Sequence, residues 1–258
     1  MRRAALAVPE YRGPRPVAEK ADALHIIQAP GRLPVGQRVY AIGDVHGHLD
    51  RLRRLHGLIA EHLASRPVPS ATLVHLGDYI TQGPDSAGVL DHLLGLSLPG
   101  LRVVNLLGDH ERMLLDGIDG DRAAATDWLW SGGREALASW GLAEDLPRDA
   151  WAEAFPAAHI AFLRSLVLSY QAGGYLFVHA GIRPGVPLRQ QARDDLLMIR
   201  QPFLSTESPF GPVVVHGHSS VVSVPILPNR IGLDTGAGLG RTLTCAVLEE
   251  DGIGLMAV

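Results

Sequence analysis

The chain predicts an α/β fold of two β-sheets packed face to face with helices outside, and three patterns carry that expectation. Short apolar runs alternate with helical periods as far as Leu166, strand-like runs dominate from Val167 to the end, and glycine closes several runs just before an acid or histidine. Continuous β-branched and leucine runs bounded by glycine suit parallel strands covered on both faces.

Taken in order, residues 1–37 stand apart from the rest. Met1-Arg2-Arg3 and a brief apolar patch are interrupted by Pro9, Glu10 and Arg12, which falls short of a signal peptide. The prolines and basic residues that follow have no sustained period, so an extended arm is expected over 1–37, with the main domain at 38–258. Ala41-Ile42, Leu73 to Leu76 and Val103 to Leu107 are expected as buried strands. Between them, Leu49, Leu52, Leu55, Leu58, Ile59 and Leu63 recur at helical intervals up to Pro67, and Pro84 to Leu96 predicts a second helix. A third begins at Glu111 and breaks at Gly117 to Asp121, and a helical insertion is expected around 120–165. Phe177-Val178 and Val213 to Val215 predict late strands.

The strand ends hold the chemistry. Gly43-Asp44-Val45-His46-Gly47, Gly77-Asp78-Tyr79 and Gly108-Asp109-His110-Glu111 follow the first three strands, and His179-Ala180-Gly181 and His216-Gly217-His218 follow the late ones. The first three lie about thirty residues apart, room for one strand–helix–strand unit each, so all can meet at one sheet edge. Asp44, His46, Asp78, Asp109, His179 and His218 form a mixed oxygen and nitrogen set. Such a set suits Mn, Fe or Zn and is too rich in nitrogen for a calcium or magnesium cage.

These segments resemble the metallophosphoesterases, and within them the bacterial serine/threonine phosphoprotein phosphatases. That family's order is Gly-Asp-x-His-Gly, Gly-Asp-x-x-Asp-Arg-Gly, Gly-Asn-His-Glu, His-Ala-Gly and Gly-His; the first, fourth and fifth are intact here. Trp128 to Gly141, Phe162 to Pro184, Leu196 to Phe203 and Leu233 to Cys245 also look like the bacterial branch, so the resemblance covers roughly residues 38 to 250. It implies a four-layer sandwich of two mixed β-sheets flanked by helices. It also implies two metal ions: Asp44 and His46 on one, Asp78 shared, and Asp109, His179 and His218 on the other. Such a pair, about 3.5–4 Å apart, clamps phosphate oxygens and acidifies a water for direct attack. His110 would protonate the leaving oxygen.

The second and third motifs diverge. Thr81-Gln82 stands where the family has Asp-Arg, and Asp109 where it has Asn. Thr81 cannot hold a charged imidazole at His110, and Gln82 lacks the fork by which arginine grips a phosphate dianion. The exchanges leave the site one unit more negative. A phosphodiester or phosphoanhydride is therefore expected over a phosphomonoester, with Thr81, Gln82 and Arg200 against the substrate. A hydrolase of dinucleoside polyphosphates shares the motif order, and a basic or aromatic surface beside the crevice would mark it. A non-catalytic relative binding a phosphorylated ligand is the third reading. Loss of the Asp-Arg pair favours it, and retention of every ligand position argues against it.

Asp234 is expected either to orient a ligand imidazole or to cap a turn. His216 is assigned behind the ligands or to the core. His75 is expected as a satisfied interior residue, and the other histidines mostly at exposed positions. The four tryptophans are expected to pack a helical insertion and imply no nucleobase platform. A net charge of −4 gives no footprint for nucleic acid. One cysteine, Cys245, excludes an internal disulfide and fits a reducing cytoplasm. No apolar stretch is long enough to span a bilayer.

Overall fold

The computed structural model describes residues 24–258, so most of the segment expected as an extended arm lies outside the described residues. From Leu24 the chain runs along a sheet edge, where β1 (Ile27–Gln28) pairs antiparallel with β10 (Gly252–Ala257).

Two sheets form the centre. The first has six strands: β1, β10, β9 (Thr244–Glu249), β2 (Gln37–Ile42), β3 (Ser70–His75) and β4 (Leu101–Asn105), in that order. β2, β3 and β4 are parallel and in step, with Ile42 opposite His75 and His75 opposite Asn105, so their carboxyl ends open at one edge. The second has four strands: β5 (Ser169–Ala172), β6 (Tyr175–Val178), β7 (Val213–His216) and β8 (Arg230–Gly232). β6, β7 and β8 are parallel, with Phe177 opposite Val215 and Val215 opposite Ile231.

Strand alternation sorts the core into layers. Val39, Ala41, Val74 and Leu76 meet Tyr175, Phe177, Val215 and Ile231 between the sheets. Tyr40, Ile42 and Leu73 face the other way, onto α1 (Leu49–Ser65), α2 (Ser86–Leu94), α3 (Asp109–Ile118) and the helices beyond. Leu176, Val178 and Val214 point outward from the second sheet, onto α8 (Arg193–Met198) and Phe203. The result is the expected four-layer arrangement.

The boundaries depart from the sequence in two places that bear on the site. α2 begins after Asp85, whose carboxylate accepts from Gly88 N–H at 2.8 Å, and not at Pro84. α3 begins at Asp109, ahead of Glu111, because the Glu111 carboxylate turns back to accept from Gly108 N–H at 3.1 Å. The helical insertion expected around 120–165 consists of four short helices, α4 (Arg122–Trp128), α5 (Arg134–Ser139), α6 (Trp151–Ala154) and α7 (Ala157–Ser165). Gly132, at φ +97°, turns the chain out of the helix, and Pro147 and Pro156 divide the rest.

His56, His62 and His159 are buried, contrary to the exposed placement expected for most histidines. Each has a polar partner. His56 sits in a chain between His92 (2.9 Å) and His75 (2.8 Å), and His75 continues it to the Asn105 carbonyl oxygen at 2.7 Å. His62 pairs with the Tyr40 hydroxyl at 2.8 Å, and His159 with Asp91 at 2.9 Å. Among the described residues no helix is long and apolar enough to cross a membrane.

Candidate metal centre

The loops after β2 and β3 are laced together through their backbones. Val45 and His46 N–H both donate to Asp78 O, at 2.9 and 2.8 Å, and Gly47 N–H donates to Tyr79 O at 2.8 Å. The loop after β4 is drawn in by side chain. The buried Glu111 carboxylate accepts from Asp78 and Tyr79 N–H at 2.8 Å each, besides Gly108 N–H. Gly77 makes the crossing possible. It lies at φ +104°, and a Cβ there would come within 2.7 Å of Gly108 N and 2.9 Å of His179 Nδ1.

Two groups of possible ligands result, sharing Asp78. Asp78, Asp109, His179 and His218 each place a donor atom within 4.8 Å of the others, and so do His46, Asp78 and His110. Asp109 Oδ1 lies 2.9 Å from His179 Nε2 and 2.9 Å from His218 Nδ1. Asp78 Oδ2 lies 3.6 Å from His46 Nε2 and 3.9 Å from His110 Nε2. The far nitrogens of two rings face carbonyls: His179 Nδ1 is 2.8 Å from Leu76 O and His46 Nδ1 is 3.2 Å from Ile80 O. A carbonyl only accepts, so each Nδ1 carries a proton and each Nε2 faces inward, the atom that would bind a metal once any proton of its own is released.

Asp44, in the loop after β2, falls in neither group. Its Oδ2 accepts from His218 N–H at 2.8 Å, while its buried Oδ1 has no hydrogen-bond partner. Burial, then the nearby Asp234 carboxylate, hold Asp44 well above the usual carboxylate range. Burial and the charges of Asp109 and Glu111 do the same to Asp78. Burial opposes a charge on His179, yet its bond to Asp109 and the charge of Asp44 outweigh it and push the imidazole up to about 9. Crowded buried carboxylates thus draw positive charge to their centre. An orphaned oxygen, inward nitrogens and this appetite for a cation are what a divalent metal site requires, and the donor set fits one.

A cavity of about 190 Å³ lies over this centre, lined by His46, Asp78, Asp109, His110 and His218 with Gln82, Arg200 and Asp234. Residues 37–253 match the family of calcineurin-like phosphoesterases. The chain belongs to that family.

Two curated relatives are each named symmetrical bis(5'-nucleosyl)-tetraphosphatase. The one from Methylococcus capsulatus is 30% identical over 57% of this chain and 44% of its own length. The one from Aromatoleum aromaticum is 31% identical over 60% of this chain and 50% of its own. The chain therefore spans about half the length of these relatives. A solved structure of a candidate diadenosine tetraphosphatase superposes with a TM-score of 0.63 at 24% identity, over 88% of this chain and 97% of that one, a likeness of fold.

The structure corrects the placement of Thr81 and decides between the alternatives open for Asp234 and His216. Thr81, expected against the substrate, is fully buried behind His110. Its Oγ1 lies 2.6 Å from His110 Nδ1 and donates to Ile80 O, and its N–H donates to Ser86 Oγ at 2.9 Å, so it is turned away from the cavity. Asp234 lines the cavity, but its Oδ1 accepts from Gly236 N–H at 2.9 Å. It caps a turn, and backbone carbonyls orient the imidazoles of His46 and His179. His216 lies in the core against Phe203, with ring centroids 5.0 Å apart, outside both ligand groups.

The sequence reading gave Glu111 no part. Its signal was a glutamate three residues after the glycine that precedes a helix, a spacing that returns a carboxylate to the helix start. Among the described residues, five of the six non-glycine residues at positive φ also cluster here: His46, Asp78, Thr81, Gln82 and His218. A left-handed backbone is costly for such residues and persists where surrounding contacts over-determine it.

Proposed function

We propose that the chain is a metal-dependent phosphoesterase acting on phosphoric anhydrides of the nucleoside polyphosphate class. The observation that carries this reading is the pairing of Gln82 with Arg200 at the cavity. Arg200 is the one guanidinium lining it among the described residues, and Gln82 stands where the resemblance puts a second. One fork matches a phosphoryl group that carries a single charge within an anhydride better than it matches a monoester dianion. The names of the curated relatives point the same way.

Two divalent cations would supply charge neutralisation at phosphoryl oxygens and an acidified water. Asp44 and His46 would hold one, Asp109, His179 and His218 the other, with Asp78 between them. Arg200 would orient the phosphoryl group and Gln82 would add neutral hydrogen bonds. His110, its Nδ1 held by the Thr81 hydroxyl, directs Nε2 to the cavity and would pass a proton to the leaving oxygen. A hydroxyl partner holds imidazolium less firmly than a carboxylate does. That suits a phosphate leaving group, which is weakly basic, better than a serine alkoxide.

The test compares a dinucleoside tetraphosphate, an aryl phosphodiester and an aryl phosphomonoester on one manganese-loaded preparation. The anhydride is expected to exceed the monoester in kcat/KM by about tenfold, or about 1.4 kcal/mol in the barrier. A tenfold preference for the monoester would return the site to the phosphoprotein phosphatases.

A further inference from the structure

The cavity continues into a larger groove of about 800 Å³, and the two share Gln82, Asp109, His110 and Arg200 along their common wall. The far wall of the groove is the turn between α4 and α5, with Leu129, Trp130 and Arg134. Two tryptophans two residues apart behave differently there. Trp128 is fully buried, edge-on to Trp151 at 5.4 Å and to Phe155 at 6.3 Å, and it anchors the turn. Trp130 is 76% exposed, and the Arg134 guanidinium lies over its ring, 5.2 Å from the centroid.

The turn is fixed against the catalytic edge. Gly132, at φ +97°, approaches so closely that a Cβ would lie 2.7 Å from Gln82 N. The indole is therefore held beside the divergent second motif by packed backbone. A single exposed apolar side chain is ordinary on a protein surface, but this one forms part of the wall of a groove that opens onto the candidate metal centre, with a guanidinium over its ring. A flat ligand that also carries phosphate would meet the indole, Arg134 and Arg200 together.

We propose that Trp130 and Arg134 form a stacking surface for a nucleobase of the nucleoside polyphosphate, an inference that rests on the anhydride reading of the metal centre. The base lies on the indole, and Arg134 adds a cation to the aromatic pair and to the phosphate path. The polyphosphate runs along the groove past Arg200 and Gln82 to the ligands. Stacking of this kind accepts any base, since every base has a π face. The surface therefore selects for a nucleotide without selecting which one.

The test is calorimetric titration of the manganese-loaded protein with ADP and, separately, with inorganic diphosphate, in the native chain and in Trp130→Ala and Trp130→Phe. Trp130 is exposed, so the core is untouched, and near-ultraviolet circular dichroism checks the fold. ADP is expected to bind about tenfold more tightly than diphosphate, as loss of one stacked base implies. Trp130→Ala should bring ADP down to the affinity of diphosphate, and Trp130→Phe should keep most of the difference. Equal native affinities, or equal weakening of both ligands by Trp130→Ala, would overturn the assignment. So would the same weakening for phenyl phosphate, which would make the surface an aryl phosphate site, or conversion of a dimer to a monomer, which would make it a subunit contact. The two readings fail separately. Tight ADP discrimination without hydrolysis of any anhydride removes the proposed activity and leaves the platform, whereas hydrolysis without discrimination removes the platform alone.

Discussion

Around the floor of the cavity, Asp78, His46 and His179 are buried and tied to main chain: Asp78 O takes two amide protons, and the two imidazoles each face a carbonyl. Across its mouth, Gln82, Arg200, Trp130 and Arg134 are exposed side chains on loops and a helix start. Floor and mouth have also kept different things. Asp44, His46, Asp78, His179 and His218 match the resemblance residue for residue, with Asp109 in place of Asn, while at the mouth the phosphate-gripping arginine is replaced by Gln82; Thr81, where the resemblance has Asp, is buried behind His110. A buried charged group cannot change without leaving its partners unsatisfied, whereas an exposed one can. Under the proposed function, reaction chemistry and substrate choice would thus reside in different parts of the molecule.

That separation can be broken experimentally, and the largest effect should come from the floor. Asp78→Asn removes the shared carboxylate and is expected to lower kcat by on the order of 10³ or more, because several kcal/mol of charge stabilisation goes with the ions. Elemental analysis should show a parallel loss of bound metal. Full activity with full metal content would place the reaction elsewhere.

Glu111→Gln should come next. It keeps the shape and removes the charge that receives the Asp78, Tyr79 and Gly108 amides. A loss of about 1–3 kcal/mol in urea unfolding is expected for these buried bonds, with metal affinity falling about 10- to 100-fold, as for other groups that orient ligands. Unchanged affinity would mean the three loops hold without it.

A smaller effect should follow from the mouth. Gln82→Arg is expected to move the anhydride-to-monoester ratio toward the monoester by about tenfold, worth about 1.4 kcal/mol, while metal content stays near native. A change in metal content without a change in the ratio would show that floor and mouth are coupled.

Acid should separate the regions more gently. Burial, with the His92 charge against it and the Asn105 bond for it, lowers His75 to about 4. His75 stays neutral in the fold, while the unfolded chain protonates near 6.5. Its contribution is therefore complete above about pH 6.5 and is lost as the pH falls toward 4, at roughly 1.4 kcal/mol per pH unit. Urea midpoints measured from pH 7 to pH 4.5 should fall less steeply in His75→Gln than in the native chain. Trp130→Ala should leave the slope alone, and parallel slopes for all three would mean that His75 does not titrate in this range.

The strands that carry the ligands were legible because each is a short apolar run closed by glycine, and the spacing of Asp44, Asp78 and Asp109 allowed one crossover apiece. What sequence could not supply were contacts between a side chain and distant backbone. Glu111 serves amides 32 and 33 residues away, and no periodicity encodes that. Thr81 was read as facing substrate, whereas consecutive left-handed residues at 81 and 82 turn the first inward and the second outward. Trp128 and Trp130 looked equally suited to packing, but Trp128 closes α4 against the core while Trp130 lies in the turn that follows, on the groove wall. The buried histidines escaped for a related reason: each is satisfied by another ring, a phenol or a carboxylate from a different element, so polarity in the sequence said nothing of depth.

The left-handed backbones at His46, Asp78, Thr81, Gln82 and His218 have a practical consequence for anyone selecting hardier variants of this protein. Glycine at any of the five would relax the local conformation, by about 1 kcal/mol at best, and would delete a side chain that lines or braces the candidate site. Thermal screens without an activity filter should therefore enrich for inert survivors altered at these positions.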